Sequence, residues 1–298
     1  MTSKSNLPQR LRSAKAQFDR RLRQQLMRVL APIGHLRALP DFLIVGAMKS
    51  GTTTLFHYLT QHPGIATPTV KEVHFFDVPR NFKRGENWYR AHFPSLQHLQ
   101  QTSQKIGYPA QTGEATPAMF INSYAANVTS VIPQARIIMI LRDPVERAYS
   151  HYQHQKRKIP RENLSFLEAL QMEQERIGRD LELSISEPAK VSPALWRYSY
   201  TERGKYFEQI ENWLTYFPES QLEIVNFNEL KTQPDMLCNR LCAFLGLPEY
   251  DFSTTEHLNS GGYGTDMDDD SREYLTEFFR PHNRRLFDFL GEDWGWPS

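Results

Sequence analysis

Three stretches of this chain carry residue types that could do chemistry together: Gly46 to Thr54, Glu72 with His74, and Arg142 with Ser150. In the first, Lys49, Ser50, Gly51, Thr52, Thr53 and Thr54 form a polar loop. An apolar run, Phe42 to Val45, precedes it, and the helical apolar spacing of Leu55, Phe56, Tyr58 and Leu59 follows. Strand, tight loop and helix is the arrangement that holds an anion against backbone N–H groups at a helix N-terminus. Gly46 and Gly51 let the chain curl without a Cβ in the way. The alternative is an ordinary glycine-bearing turn, which would not need the lysine and three threonines.

The position of the lysine narrows the anion. The triphosphate loop Gly-x-x-x-x-Gly-Lys-Ser/Thr places its lysine after the second glycine, within reach of the β- and γ-phosphates. Here the glycine spacing fits, but Thr52 stands at that place and Lys49 lies inside the loop. From there it sits nearer the bond between a 5′-phosphate and its substituent. A nucleotide with a transferable group on its first phosphate is expected, rather than ATP or GTP.

Glu72 and His74 are acid/base candidates. Such residues are usually solvated surface groups, but these follow the anion loop by one helix. A base here would depend on a pKa raised by partial burial. Arg142 follows Ile137 to Leu141, a continuous apolar run of the kind buried on both faces in a parallel sheet. The carboxyl end of such a strand is the ligand side of an open α/β sheet, and a planar guanidinium suits a phosphate. Pro144 opens a helix that carries Ser150 roughly two turns on from Arg142. Asp143 and Glu146 read better as helix-start residues in surface salt bridges with Arg147.

The elements that must position these residues alternate strand and helix, which predicts a parallel sheet flanked by helices. Ile106 to Thr116 reads as a strand, Pro117 to about Ser130 as a helix, and Gln221 to Phe227 as a strand. Ser165 to Glu168 is a capping box opening a helix to about Asp180. Residues 181–200 read as an irregular, substrate-side loop. Helices are expected over Phe207 to Phe217 and over Pro234 to Leu245, the latter stopped by Gly246. Residues 259–264 read as a flexible loop. Asp268, Asp269 and Asp270 suit capping better than metal binding, and Pro281 is expected to divide the last helix in two.

Composition excludes several classes. With 298 residues and a net charge of +1, the chain can bury a full core and implies no global polyanion field, so no nucleic acid is expected. No stretch approaches the ~20 apolar residues of a membrane span, and no signal-peptide core is visible. Cys238 and Cys242, four apart in a helical pattern, read as small buried hydrophobes rather than a disulfide or metal pair. A cytoplasmic location, with peripheral membrane contact as an option, is the simplest expectation. Residues 1–37 stand apart: nine Lys and Arg face one acid, Asp19, and Leu7, Leu11, Ala14, Phe18, Leu22, Leu26 and Leu30 recur at helical spacing. Such a basic amphipathic helix suits an anionic membrane surface, a partner, or packing on its own domain with a solvated basic face.

Taken together, the loop, the Lys71 to Asp77 segment KEVHFFD and the helix RDPVERAYSHY resemble the P-loop sulfotransferases, closest to the heparan sulfate type and its bacterial relatives. The resemblance runs over roughly residues 41–296 and implies a single sulfotransferase domain over 38–298. It implies 3′-phosphoadenosine 5′-phosphosulfate as co-substrate and no metal. Lys49 to Thr54 match the 5′-phosphosulfate loop, and Arg142 and Ser150 the clamp on the 3′-phosphate. Glu72 matches the base of the heparan sulfate type, and His74 the reserve candidate, since a histidine serves in the phenol and steroid branch. An acceptor hydroxyl, on a glycan or another alcohol, is implied. The heparan sulfate 3-O branch carries a lysine where this chain has Ala115, which argues against a heparan-like acceptor. Two competing readings are a small-molecule kinase on the same fold, requiring ATP and Mg²⁺, and a non-catalytic module binding an anion or a membrane surface.

Overall fold

The computed structural model describes residues 25–157, 162–187, 190, 192–253 and 266–298. Residues 1–24 of the helix expected over 1–37, and the expected loop over 259–264, lie outside them. Five strands form one parallel sheet in the order β2-β3-β1-β4-β5: β1 Phe42–Gly46, β2 Ile65–Ala66, β3 Gln111–Ala115, β4 Arg136–Leu141 and β5 Leu222–Asn226. The sheet forms because its central strands are apolar on both faces. Leu43, Val45, Ile137, Met139 and Leu141 face one core; Phe42, Ile44, Ile138 and Ile140 face the other. This is the period of two expected of a strand, with helices covering each side. β1 lies between β3 on one side and β4 on the other, with β2 and β3 built to one side of it and β4 and β5 to the other, so a crevice opens at the carboxyl end of β1, where such folds take their ligands.

The helices around the sheet include α1 (Thr52–Leu59), α2 (Glu86–Arg90), α3 (Leu96–Ile106), α4 (Asn122–Val131), α5 (Pro144–Arg157), α6 (Glu173–Ser186), α7 (Pro193–Tyr198), α8 (Tyr206–Leu214), α9 (Pro234–Leu245) and α10 (Asp269–Leu290). Cys238 and Cys242 are buried thiols in α9.

Several expectations fail for identifiable reasons. Ile106 closes α3, ended by Gly107 at φ 86, and the strand begins only at Gln111. Pro117 starts no helix: the segment turns back so that Met119 N–H donates to the Val45 carbonyl at 2.9 Å, and α4 begins at Asn122. Residues 181–200 are largely helical. α6 runs to Ser186, and Ser192–Pro193 is an N-cap followed by a first-turn proline, a helix start rather than a loop. Pro281 does not break α10. It faces solvent, while Leu275, Phe279, Asn283 and Leu286 bury the opposite face. A mid-helix proline costs about 3 kcal/mol, and burying each large apolar side chain returns about 1.5–3 kcal/mol, so the packed stripe wins.

Candidate active site

β1 ends at Gly46, and the chain stays attached to β4 through Ala47 N–H, which donates to the Ile140 carbonyl at 2.6 Å. The pairing register slips between Ile44 and Gly46, aiming the following residues out of the sheet. A Cβ at Gly46 would lie 2.0 Å from Met119 Sδ, so a larger residue there would have to displace the Met119 side chain. Lys49 then adopts φ 74 and Gly51 φ 84. A left-handed lysine costs about 1–2 kcal/mol and persists where the surrounding structure holds it. Gly51 is the N-cap of α1 and brings no side-chain cap, so the first turn of the helix, Thr52, Thr53 and Thr54, opens onto the loop. Ser50 is fully buried.

Arg142, the residue after β4, reaches the same place. Its Nη1 lies 3.5 Å from the Lys49 carbonyl oxygen, at the outer limit of a hydrogen bond, and its guanidinium covers the Phe227 ring at the end of β5. Glu146 holds its other edge at 3.6 Å. Ser150 is buried two turns into α5. Asp143 caps α5 by accepting from Val145 N–H at 2.8 Å. Arg147 is not in the expected surface salt bridge. It is fully buried on the face of α5 shared with Ser150 and His151 and donates to the Tyr200 carbonyl, and burial lowers its pKa. Its Nε and Nη1 have no hydrogen-bond partner among the described residues. Arg203, also buried, donates to Met48 Sδ at 3.3 Å and stacks on Phe120. The loop is therefore supported by one buried guanidinium group, that of Arg203, through Met48.

Glu72 and His74 stand on the far side of the crevice. The chain beyond β2 pairs with β3, where Ala115 N–H donates to the Lys71 carbonyl at 3.1 Å. Glu72 Oε1 accepts from Lys71 Nζ at 2.7 Å, and its Oε2 lies 3.5 Å from His74 Nε2. The other ring nitrogen of His74 is 2.7 Å from the buried Asp77 carboxylate. The sequence expectation of a raised Glu72 pKa is overturned here. Desolvation does push it up, but the hydrogen bonds and charges of His74 and Lys71 outweigh burial and bring it down to about 2. Burial likewise lowers the His74 pKa, and Asp77 and Glu72 outweigh it, carrying the imidazole up to about 10. At neutral pH the Glu72 carboxylate thus stands beside a His74 imidazolium. Removing the imidazolium with His74→Gln should therefore let the Glu72 pKa rise from about 2 towards the ordinary 4.5. The variant's kcat/KM should gain an acid limb near that pH that the parent lacks. An unmoved pH profile would dissociate His74 from Glu72.

Two further residues hold this row, and no motif announced them. Glu114, fully buried in β3, accepts from Val73 N–H at 3.1 Å, Thr116 Oγ1 at 2.9 Å and Tyr89 Oη at 2.6 Å. It ties the Glu72–His74 segment to the sheet and to α2. Trp196 in α7 meets the His74 ring edge-on at 6.4 Å, while its backbone carbonyl accepts from Arg203 at 3.1 Å. One segment thus touches both the loop's support and the acid/base row. The available sequence signal was a glutamate inside an otherwise buried strand. Among the described residues no group of three His, Cys, Asp or Glu side chains gathers as a metal site.

The chain is similar to known sulfotransferases in sequence and in fold. The membrane-associated sulfotransferase kil1 of Dictyostelium discoideum is 26% identical over 331 residues, covering 89% of this chain and 68% of its own length. The human bifunctional heparan sulfate N-deacetylase/N-sulfotransferase 3 is 31% identical over 281 residues, covering 85% of this chain, which spans only 30% of that protein. A crystal structure of a sulfotransferase from Alicyclobacillus acidocaldarius superposes with a TM-score of 0.62 at 33% identity, over 86% of this chain and 97% of that one. With residues 39–260 matching the sulfotransferase domain as well, the chain belongs to the sulfotransferase family and is an enzyme of sulfuryl transfer.

Proposed function

We propose that the donor is 3′-phosphoadenosine 5′-phosphosulfate and that Glu72 is the general base of in-line transfer to an acceptor hydroxyl. The observation that carries this reading is the meeting of Arg142 with the Lys49 backbone at the carboxyl edge of the sheet. It sets a guanidinium beside an anion loop, as a nucleotide carrying both 5′- and 3′-phosphates requires. The loop's N–H groups and Lys49 would hold the 5′ end, and Arg142 and Ser150 the 3′-phosphate. When bound, the donor supplies an electrophilic sulfuryl group on a phosphate leaving group. The chain's residues then place the acceptor oxygen in line, stabilise charge on the departing phosphate and remove one proton.

Glu72 suits the last task because its side chain is 42% exposed and its Oε1 is held by Lys71. An acceptor that draws Lys71 away returns part of the basicity to the carboxylate, His74 still holding it down. His74, with both nitrogens directed at carboxylates and its pKa near 10, serves as the holder of Glu72 rather than as a base. The acceptor class is a glycan or other alcohol; the name of the human relative extends it to an amine.

Transfer of labelled sulfate from the donor into an extract, followed by identification of the labelled product, tests the reaction. Binding of 3′,5′-bisphosphoadenosine tests the donor site. Losing charge-assisted hydrogen bonds worth about 1.5–3 kcal/mol, Arg142→Ala should weaken that binding about 10–100-fold. Turnover at saturating donor should change far less. Unchanged affinity would remove Arg142 from the clamp.

A further inference from the structure

One buried side chain touches both the anion loop and the segment that contacts His74. Arg203 lies in a 3₁₀ turn, Glu202–Gly204, between α7 and α8, and is only 3% exposed. Each of its three guanidinium nitrogens has a neutral partner. Nη1 donates to Met48 Sδ at 3.3 Å, Nη2 to the Trp196 carbonyl at 3.1 Å and Nε to Ser199 Oγ at 2.8 Å. Its Cζ lies 3.6 Å from the centre of the Phe120 ring and 5.4 Å from that of Trp196, and those two rings meet edge-on at 5.2 Å.

The partners belong to two parts of the site. Met48 immediately precedes Lys49 in the anion loop. Trp196 meets the ring of His74, which in turn contacts Glu72 and Asp77. Burial and the neighbouring Arg147 lower the Arg203 pKa, while Glu173 and Asp77 raise it, so the carboxylate that holds His74 is felt at Arg203. The turn itself is seated by other contacts. Thr201 N–H and Glu202 N–H donate to the buried Glu173 carboxylate at 2.7 and 3.0 Å. Gly204 packs so closely that a Cβ there would lie 2.5 Å from the Phe279 ring and 3.0 Å from Pro144, the first residue of α5. Changing the side chain at 203 therefore removes the brace and leaves these contacts in place.

Filling space does not account for such a residue. A guanidinium buried among neutral partners carries a desolvation cost that an apolar side chain of similar length avoids. What the guanidinium adds is a rigid fork that holds two groups at a fixed separation. We propose that Arg203 is a positioning residue for sulfuryl transfer, setting the distance between the anion loop, through Met48, and the acid/base row of Glu72 and His74, through Trp196. In-line transfer needs donor and acceptor atoms in near-attack geometry, and a misplacement of about 1 Å can cost about 10²-fold in rate. The inference rests on reading the loop as the donor seat and Glu72 as the base.

The test compares Arg203→Met, which fills most of the space, with Arg203→Lys, which keeps a charge but cannot hold both partners. Turnover is read as labelled sulfate passed from the donor into the extract, below each variant's melting temperature, alongside affinity for 3′,5′-bisphosphoadenosine. Arg203→Met should lower turnover at saturating donor by about 10–100-fold. Its affinity for the bisphosphate should fall less than about threefold, because Lys49, Arg142 and the loop's N–H groups remain. Arg203→Lys should show most of the same loss. Full turnover in the lysine variant would make Arg203 a source of charge, and normal turnover in Arg203→Met would make it a contributor to stability alone; either overturns the proposal.

Met48→Leu keeps the argument testable if Arg203→Met does not fold. It removes only the sulfur acceptor and should cost about 2–10-fold in the parent, and nothing further in Arg203→Lys. An equal loss in both backgrounds overturns the proposal, because Met48 would then act without Arg203. Combined with Glu72→Gln, Arg203→Lys should cost little more than Glu72→Gln alone, since the base it places is gone. Fully additive losses would confine Arg203 to the loop and also overturn the proposal. Normal turnover in Glu72→Gln alone is a separate result, which removes Glu72 as base and leaves the loss in Arg203→Lys to be explained by another group on that row.

Discussion

Glu72→Gln should lower turnover by about 10²–10⁴-fold, the usual worth of a positioned general base. Glutamine keeps the shape of the side chain and can still meet Lys71 and His74, but it cannot take a proton. Affinity for 3′,5′-bisphosphoadenosine should be nearly unchanged, because the anion loop and Arg142 lie on the other side of the crevice. Stability should change little. Glu72 is 42% exposed, and ion pairs of that kind contribute about 0–1 kcal/mol. Parallel measurements of turnover, ligand affinity and melting temperature distinguish these effects. Near-normal turnover in the variant would end the assignment of Glu72 as base. A matching loss of ligand affinity would show that Glu72 shapes the donor site instead.

Lys49→Ala should cost about 10²–10³-fold in turnover, as removal of one preorganised charge at a developing oxyanion does. The loop's shape gives this prediction its sharpness. Alanine at φ 74 is as strained as lysine, so the substitution removes the ammonium without relieving the backbone. Unlike Glu72→Gln, it should also weaken binding of the bisphosphate product. The shape of the pH–rate profile should stay as it was, because the acid/base row is untouched. Lys49→Arg should restore only part of the loss, since a planar fork does not reproduce a compact ammonium. If Lys49→Ala retained normal turnover, the phosphate would have to be neutralised by Arg142 and the loop's N–H groups alone.

How much of this was legible in the sequence depended on how local the cause was. β4 was readable because Ile137 to Leu141 is apolar without interruption, and the strand Arg136–Leu141 lies where expected. The end of α9 at Gly246 was readable because the residue there is left-handed, at φ 72. The loop, Glu72 and Arg142 were each readable as candidates from residue type and place along the chain. The electrostatics of Glu72 were not, because its pKa is decided by where the Lys71 and His74 side chains point and by Asp77 holding the imidazole. Arg147 shows the same limit. An arginine in a helix start reads as a surface partner for acids, and only the packing of Tyr200 over α5 reveals that it is buried. Glu114 was hidden for the opposite reason, since a buried carboxylate in a strand has no periodicity to announce it.

The strand order also decides when during folding the enzyme becomes able to bind its ligand. β1 is the central strand, and Phe42 pairs with Gly113 on one side and Arg136 on the other. Both partners are distant in sequence, so loop closure must be completed before either ladder forms, which makes assembly slow relative to a helical bundle. The anion loop comes from β1, Arg142 from β4, the acid/base row from the chain after β2, and the Phe227 ring from β5. No half of the sheet contains all the residues of the proposed site. A fragment ending before β4 should show no affinity for the nucleotide, and a bound nucleotide should stabilise the assembled sheet as a whole. At a hundred times its dissociation constant the gain is about 2.7 kcal/mol, shared by every strand at once.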